Sequence, residues 1–203
     1  MVKVFTEFEA KQIESAVISA EKETCAELVT VVLPISDRYV PEMMFFGFLM
    51  GSIIAFILWK LSWIVYFPQL FLIQLFFCLV FPYIGVTRLF VYFLPKKLLF
   101  HRAAHLGAEE LLSVMQQVPP ETPVLLLFVS QAEHYIHLFP NPIIKAKIND
   151  SLWDKIVNDL ADKLKNKKLA LACTETIQDI AKILTKFFPD DKGDNLYKDQ
   201  IVH

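Results

Sequence analysis

Five carboxylates have the chemistry to hold a hard cation: Glu27, Glu133, Asp190, Asp191 and Asp194. Ca²⁺ or Mg²⁺ takes oxygen ligands, and carboxylates supply them. Glu27 closes a short stretch with Glu21 and Thr24. Asp190, Asp191 and Asp194 stand together near the C-terminus. The tail lacks the spacing of an EF-hand loop. The same residues also serve helix-end solvation and turns, where Asp and Asn are favoured anyway. His101, His105 and Glu109 recur every four residues, so they share one face of a helix. Two imidazoles and a carboxylate can bind zinc. Arg102-Ala103-Ala104 separates the histidines, so no HExxH base is present, and a polar, membrane-proximal helix face is the preferred reading of the set. Ser130, Glu133 and His134 have the residue types of a hydrolytic triad, but neighbours on one turn rarely point at one another. Lys163, Lys165, Lys167 and Lys168 form a small basic patch, suited to anionic headgroups or to a solvated turn. No GxSxG, P-loop or GxGxxG occurs. No catalytic residue is identified, and no cofactor is expected other than a divalent cation at the carboxylates.

Any such chemistry must be positioned by the elements around it. Thr6-Glu7-Phe8-Glu9 reads as a capping box, followed by Ile13, Val17 and Ala20 at helical spacing. Glu27 to Leu33 is β-branched, apolar and stopped by Pro34, as in a strand buried on both faces. A helix is expected from Lys96 to about Gln117, ended by Pro119-Pro120. Val124 to Ser130 reads as a second buried strand. Tyr135 to Phe139 pairs back as a hairpin strand, broken by Pro140-Asn141-Pro142. Ser151 is expected to cap a helix through Leu164, and a last helix runs to Pro189. A crossover containing a helix lets the first two strands lie parallel, with the third antiparallel beside them.

Between these pieces the composition changes. Residues 1–42 hold four basic and eight acidic side chains, whereas residues 43–94 hold only Lys60 and Arg88. The chain of 203 residues is 55% hydrophobic with 18 Phe, and its mean hydropathy of +0.43 exceeds that of an ordinary soluble domain. A spanning helix needs about 20 apolar residues. The block is therefore expected to form two transmembrane helices at 42–62 and 66–88, turning near Lys60 and Trp63, with Trp59 and Tyr66 as interfacial rings. Gly47 and Gly51 give a GxxxG spacing, which arises by chance in apolar stretches or marks a helix contact. Residues 1–40 and 95–203 then share one compartment and build one discontinuous α/β domain. Arg38, Arg88, Lys96, Lys97 and Arg102 flank the spans on that side, against Lys60 alone on the other. The positive-inside rule places both termini in the cytoplasm of an inner-membrane protein. A net charge of −2 excludes a nucleic-acid partner on electrostatic grounds. Three separated cysteines suggest neither a disulfide framework nor a CxxC metal site.

The order α-β-[hairpin]-α-β-β-α-α resembles the TPM domain family, in its form with a transmembrane pair after the first strand. The resemblance is carried by Ile18 to Val32, by Val124 to Ile136 with Glu133 at its turn, and by Phe187-Phe188-Pro189-Asp190-Asp191 with Asp194-Asn195-Leu196. It implies a TPM-like α/β sheet flanked by helices. It also implies one of three roles: phosphatase-like, metal-binding, or accessory to membrane complexes. With no catalytic constellation in view, the expected function is a non-enzymatic interaction or accessory module. Its partners are then the lipid bilayer and a membrane protein. The alternative is a metal-assisted phosphatase.

Overall fold

The computed structural model describes residues 6–61, 66–83, 90–166 and 168–189. Its mixed α/β fold contains seven α-helices and a three-stranded sheet among those residues. The elements are α1 (Glu7–Glu21), β1 (Glu27–Leu33), α2 (Val40–Lys60), α3 (Phe67–Val80), α4 (Lys96–Gln117), β2 (Val124–Ser130), β3 (Tyr135–Pro140), α5 (Pro142–Lys147), α6 (Asp150–Asn166) and α7 (Leu169–Phe187). The chain divides into two compact units, one of residues 1–36 with 100–203 and one of residues 37–99.

In the first unit β1 pairs parallel to β2, from Glu27↔Val124 to Leu33↔Ser130, and β2 pairs antiparallel to β3. Strand alternation sends successive side chains to opposite faces. Leu28, Val32, Leu125, Leu127, Val129 and Leu138 pack with α1, α5, α6 and α7. Val29, Val31, Val124, Leu126 and Phe128 pack with α4. Both faces of the sheet are therefore covered, which is why β1 and β2 read as continuous apolar runs. On the α4 side Gly107 permits close approach: a Cβ there would lie 2.5 Å from Phe139 Cε2 and 3.2 Å from Phe128 Cγ. In the opposite layer Thr30 Oγ1 is buried without a hydrogen-bond partner.

Helix starts follow their caps. Thr6 Oγ1 accepts from the Glu9 amide, and the Glu9 carboxylate accepts from the Thr6 amide. That bond holds the Glu9 carboxyl below its usual pKa. Two boundaries differ from the sequence expectation. β3 ends at Pro140, but Pro142 also opens a short helix absent from that expectation, because Asn141 caps it: Asn141 Oδ1 accepts from the Ile144 amide at 3.1 Å. The next helix begins at Asp150, and the cap is Asn149, whose Oδ1 accepts from the Ser151 amide at 3.2 Å. Asn and Ser rank equally as caps, so composition alone does not choose between them.

In the second unit α2 and α3 form a tight hairpin. Met43, Gly47, Gly51 and Ala55 make the buried stripe of α2. A Cβ on Gly47 would meet the Phe77 carbonyl oxygen, and one on Gly51 would lie 2.9 Å from Gln74 Cα. The GxxxG spacing is thus the seam along which α3 packs. Gln74 Nε2 donates to Ser52 Oγ across it at 3.0 Å. Of these helices only α2 is long and apolar enough to cross a membrane. α3 is shorter and passes into a 3₁₀ turn at Phe81–Tyr83, where Pro82 interrupts α-helical bonding. Of the two expected spans, Ser62 and residues 84–88 lie outside the described residues.

Candidate functional site

The best-organised polar cluster lies at the carboxyl end of β1 and β2. Ser130 ends β2 and Glu133 sits in the turn that follows, with 1% and 2% of their surfaces exposed. The turn is zipped onto the end of β1: the Gln131 amide donates to Leu33 O at 3.0 Å, and the Ala132 amide to Pro34 O at 3.1 Å. His134 closes it in the left-handed region at φ 50°, a conformation in which His is enriched. This geometry points the Glu133 carboxylate inward. Its Oε1 accepts from the Ser36 amide at 2.9 Å and from Ser36 Oγ at 2.7 Å. Its Oε2 accepts from Ser130 Oγ. Tyr135 begins β3 beside them, its ring 5.5 Å from Phe100 and 6.3 Å from Phe128. Burial pushes the Tyr135 phenol above its usual pKa.

A serine hydroxyl carries one proton. In Ser130 that proton is given directly to the carboxylate, so it is not offered to an imidazole, and His134 is exposed. A Ser–His–carboxylate relay is therefore absent from this arrangement. What the cluster does is hold: one carboxylate ties the β2–β3 turn to the segment leaving β1. Ser36 was not legible as a participant, since no local pattern pairs it with a residue 97 positions away.

The other candidate residues distribute as follows. Glu27 opens β1 and is buried, its amide donating to Pro123 O at 2.8 Å. Glu133 stands past the opposite end of the strand. Six residues at about 3.3 Å separate the two ends by about 20 Å, so Glu27 and Glu133 are not ligands of one ion. Asp190, Asp191 and Asp194 lie outside the described residues. Glu21 and Thr24 hold the α1–β1 turn: Glu21 Oε1 accepts from the Leu28 amide at 3.0 Å, and Thr24 Oγ1 donates to Phe188 O. Among the described residues no group of three or more His, Cys, Asp or Glu could hold a metal ion. His105 Nδ1 lies 3.3 Å from Glu109 Oε1 on an exposed face of α4.

Lys163 is engaged rather than free. Its Nζ donates to Asp179 Oδ2 at 2.9 Å and lies 3.9 Å from Glu175 Oε2. That bond holds the Asp179 carboxyl below its usual pKa. Cys173 is buried in α7, which pushes its thiol up to about 12, so it is inert. A groove of about 570 Å³ runs between α1 and α7, lined among others by Ser15, Ser19, Thr174 and Gln178. The three hydroxyls there donate back to carbonyls of their own helices, at 2.7 to 2.9 Å. Their donors are spent locally.

No family model matches the sequence, and no curated protein matches it. Among solved structures, the chain is similar to the NMR structure of BA42 protein from the psychrophilic bacterium Bizionia argentinensis. The likeness covers 99% of this chain and 96% of that one, with a TM-score of 0.59 and 13% sequence identity. At that identity it is a likeness of fold alone.

Proposed function

We propose that the chain is an integral membrane protein, anchored by α2 and α3, whose TPM-like α/β unit serves as a non-enzymatic interaction or accessory module. The observation that carries the anchor is where the hairpin hides its small residues and where it shows its large ones. Gly47, Gly51 and Ala55 face the helix partner, while Phe45, Ile53, Phe56, Phe71, Leu72 and Phe76 point away and are each more than half exposed. A contiguous surface of that kind is far larger than soluble proteins leave in water. Hydrocarbon is its natural solvent. α2 is long enough for a full span, while α3 with its 3₁₀ turn, 14 residues at about 1.5 Å and three at about 2.0 Å, reaches about 27 Å, a little short of a bilayer core of about 30 Å. Arg38, Lys96 and Lys97 at one end, against Lys60 at the other, favour an inner membrane with both termini cytoplasmic.

The accessory role is supported by the cluster at Glu133, whose carboxylate accepts hydrogen bonds on both oxygens and ties backbone segments together. Two experiments test the reading. Membranes washed with alkaline carbonate retain the protein if the hairpin spans, and release into the supernatant overturns the anchor. Purification in mild detergent returns a stoichiometric membrane partner, and recovery of the chain alone overturns the accessory role. Metal-dependent hydrolysis of a phosphomonoester that is lost in Glu27→Gln would replace that role with a phosphatase.

A further inference from the structure

We propose that the turn from Tyr92 to Lys97 is a docking surface for anionic phospholipid headgroups, a reading that rests on the membrane anchor above. The turn is fixed in place by Phe90, which is 4% exposed and stacks edge-on against Phe46 at 5.3 Å and Phe81 at 6.3 Å. Phe46 is six residues into α2, so Phe90 lies about 9 Å along the axis from the start of that helix. That puts it on the half of the hairpin nearer the start of α2 than Lys60, which ends that helix. The chain then turns outward. Tyr92 and Phe93 are 73% and 75% exposed, although Val91 before them and Leu99 after them are buried.

The exposure is built rather than loose. The Phe93 amide donates to Phe90 O at 2.9 Å and the Leu94 amide to Val91 O at 3.1 Å, while the Leu98 and Leu99 amides both donate to Pro95 O. An ordered turn thus presents two rings and then, past Pro95, the exposed amines of Lys96 and Lys97. Aromatic rings settle at the membrane–water boundary. Lysines four residues further reach the phosphate layer on flexible stems.

Charge points to an anionic occupant. α4 opens on two lysines and has no acidic residue in its first turn. Positive charge at that end of a helix works against the macrodipole, and an anionic surface relieves the conflict. The far end of the hairpin offers a contrast. Trp59, Tyr66 and Phe67 are exposed there too, but with Lys60 alone, whose Nζ lies 5.9 Å over the Trp59 ring. Rings mark both boundaries, and the paired amines mark one.

The test uses the full chain reconstituted in phosphatidylcholine bilayers carrying trace spin-labelled phosphatidylglycerol or phosphatidylcholine. Electron paramagnetic resonance reads the fraction of each label immobilised at the protein surface. Phosphatidylglycerol is expected to associate at least about fivefold more strongly than phosphatidylcholine, the effect of one lysine at the headgroup layer. Lys96→Gln with Lys97→Gln should bring the two to parity, and Lys60→Gln should leave the preference in place. Equal association in the unaltered protein, a preference that survives the double substitution, or its loss to millimolar inorganic phosphate would each overturn the proposal. Flotation of the proteoliposomes separates the two levels: a chain that fails to float with the bilayer ends the anchor reading as well, whereas one that floats without lipid preference ends only this one.

Discussion

Glu133 and Ser36 are 97 residues apart in sequence, yet one carboxylate oxygen accepts both the amide and the hydroxyl of that serine, at 2.9 and 2.7 Å. Ser36 is the last residue of the α/β unit before the apolar unit begins. The other carboxylate oxygen holds Ser130, so one side chain fastens the end of β2 to the segment leaving β1.

Replacing this carboxylate should be costly. Glu133→Ala leaves the buried Ser130 hydroxyl and the Ser36 donors without their acceptor, at about 2–4 kcal/mol. Glu133→Gln keeps an acceptor oxygen and should cost about half as much. Thermal unfolding in detergent measures both. Limited proteolysis should cut Glu133→Ala between residues 33 and 38 and spare the unaltered chain. Equal stability of all three proteins would show that the clamp carries no load.

Gly107 should reverse the usual helix rule. Within a helix, Gly→Ala ordinarily gains up to about 1 kcal/mol. Here the added methyl would meet the ring of Phe139. Gly107→Ala is expected to destabilise by about 1–2 kcal/mol. Phe139→Leu in the same chain should recover part of the loss, and a double-mutant cycle reads the coupling.

The hairpin seam gives a third expectation. A Ser52→Cys, Gln74→Cys pair should cross-link rapidly with a short bifunctional thiol reagent, since the longer native glutamine reaches the serine at 3.0 Å. Adding Gly51→Leu should slow that reaction at least tenfold, because the new side chain begins against the Gln74 backbone. An unchanged rate would mean that the helices do not pack through this face.

Thr30 offers a stabilising change. Its hydroxyl is buried with no partner among the apolar side chains of β1. Thr30→Val keeps the shape and removes the unsatisfied group, a gain of about 1 kcal/mol. Denaturant unfolding should show a higher midpoint with an unchanged slope.

The ion pair between Lys163 and Asp179 predicts the sign of one pH effect. Hydrogen bonding to Lys163, then to Lys182, lowers the Asp179 pKa below its ordinary 3.8. A lowered folded-state pKa contributes stability that is present above the unfolded value and lost as pH falls through the folded one. Asp179→Asn should therefore reduce stability near neutral pH and flatten its fall below about pH 4. The group is largely solvated, so the effect should be small and should shrink with added salt.

Local pattern in the sequence determined the elements. The capping box at Thr6, the β-branched run at Glu27, the helix over residues 96–117 and the apolar block were legible because helical and strand periodicities are properties of neighbours. So was the parallel–antiparallel order of the three strands, which follows from the lengths of their connections. The cap at Asn149 and the helix at Pro142 were missed where equally good local signals compete. Tertiary structure alone decided which distant groups meet. It joined Glu133 to Ser36, set Gly107 under Phe139, turned a GxxxG spacing into a helix seam and set Glu27 and Glu133 at opposite ends of a strand. Such pairings depend on register and packing across long stretches of chain, and no spacing between neighbours encodes them.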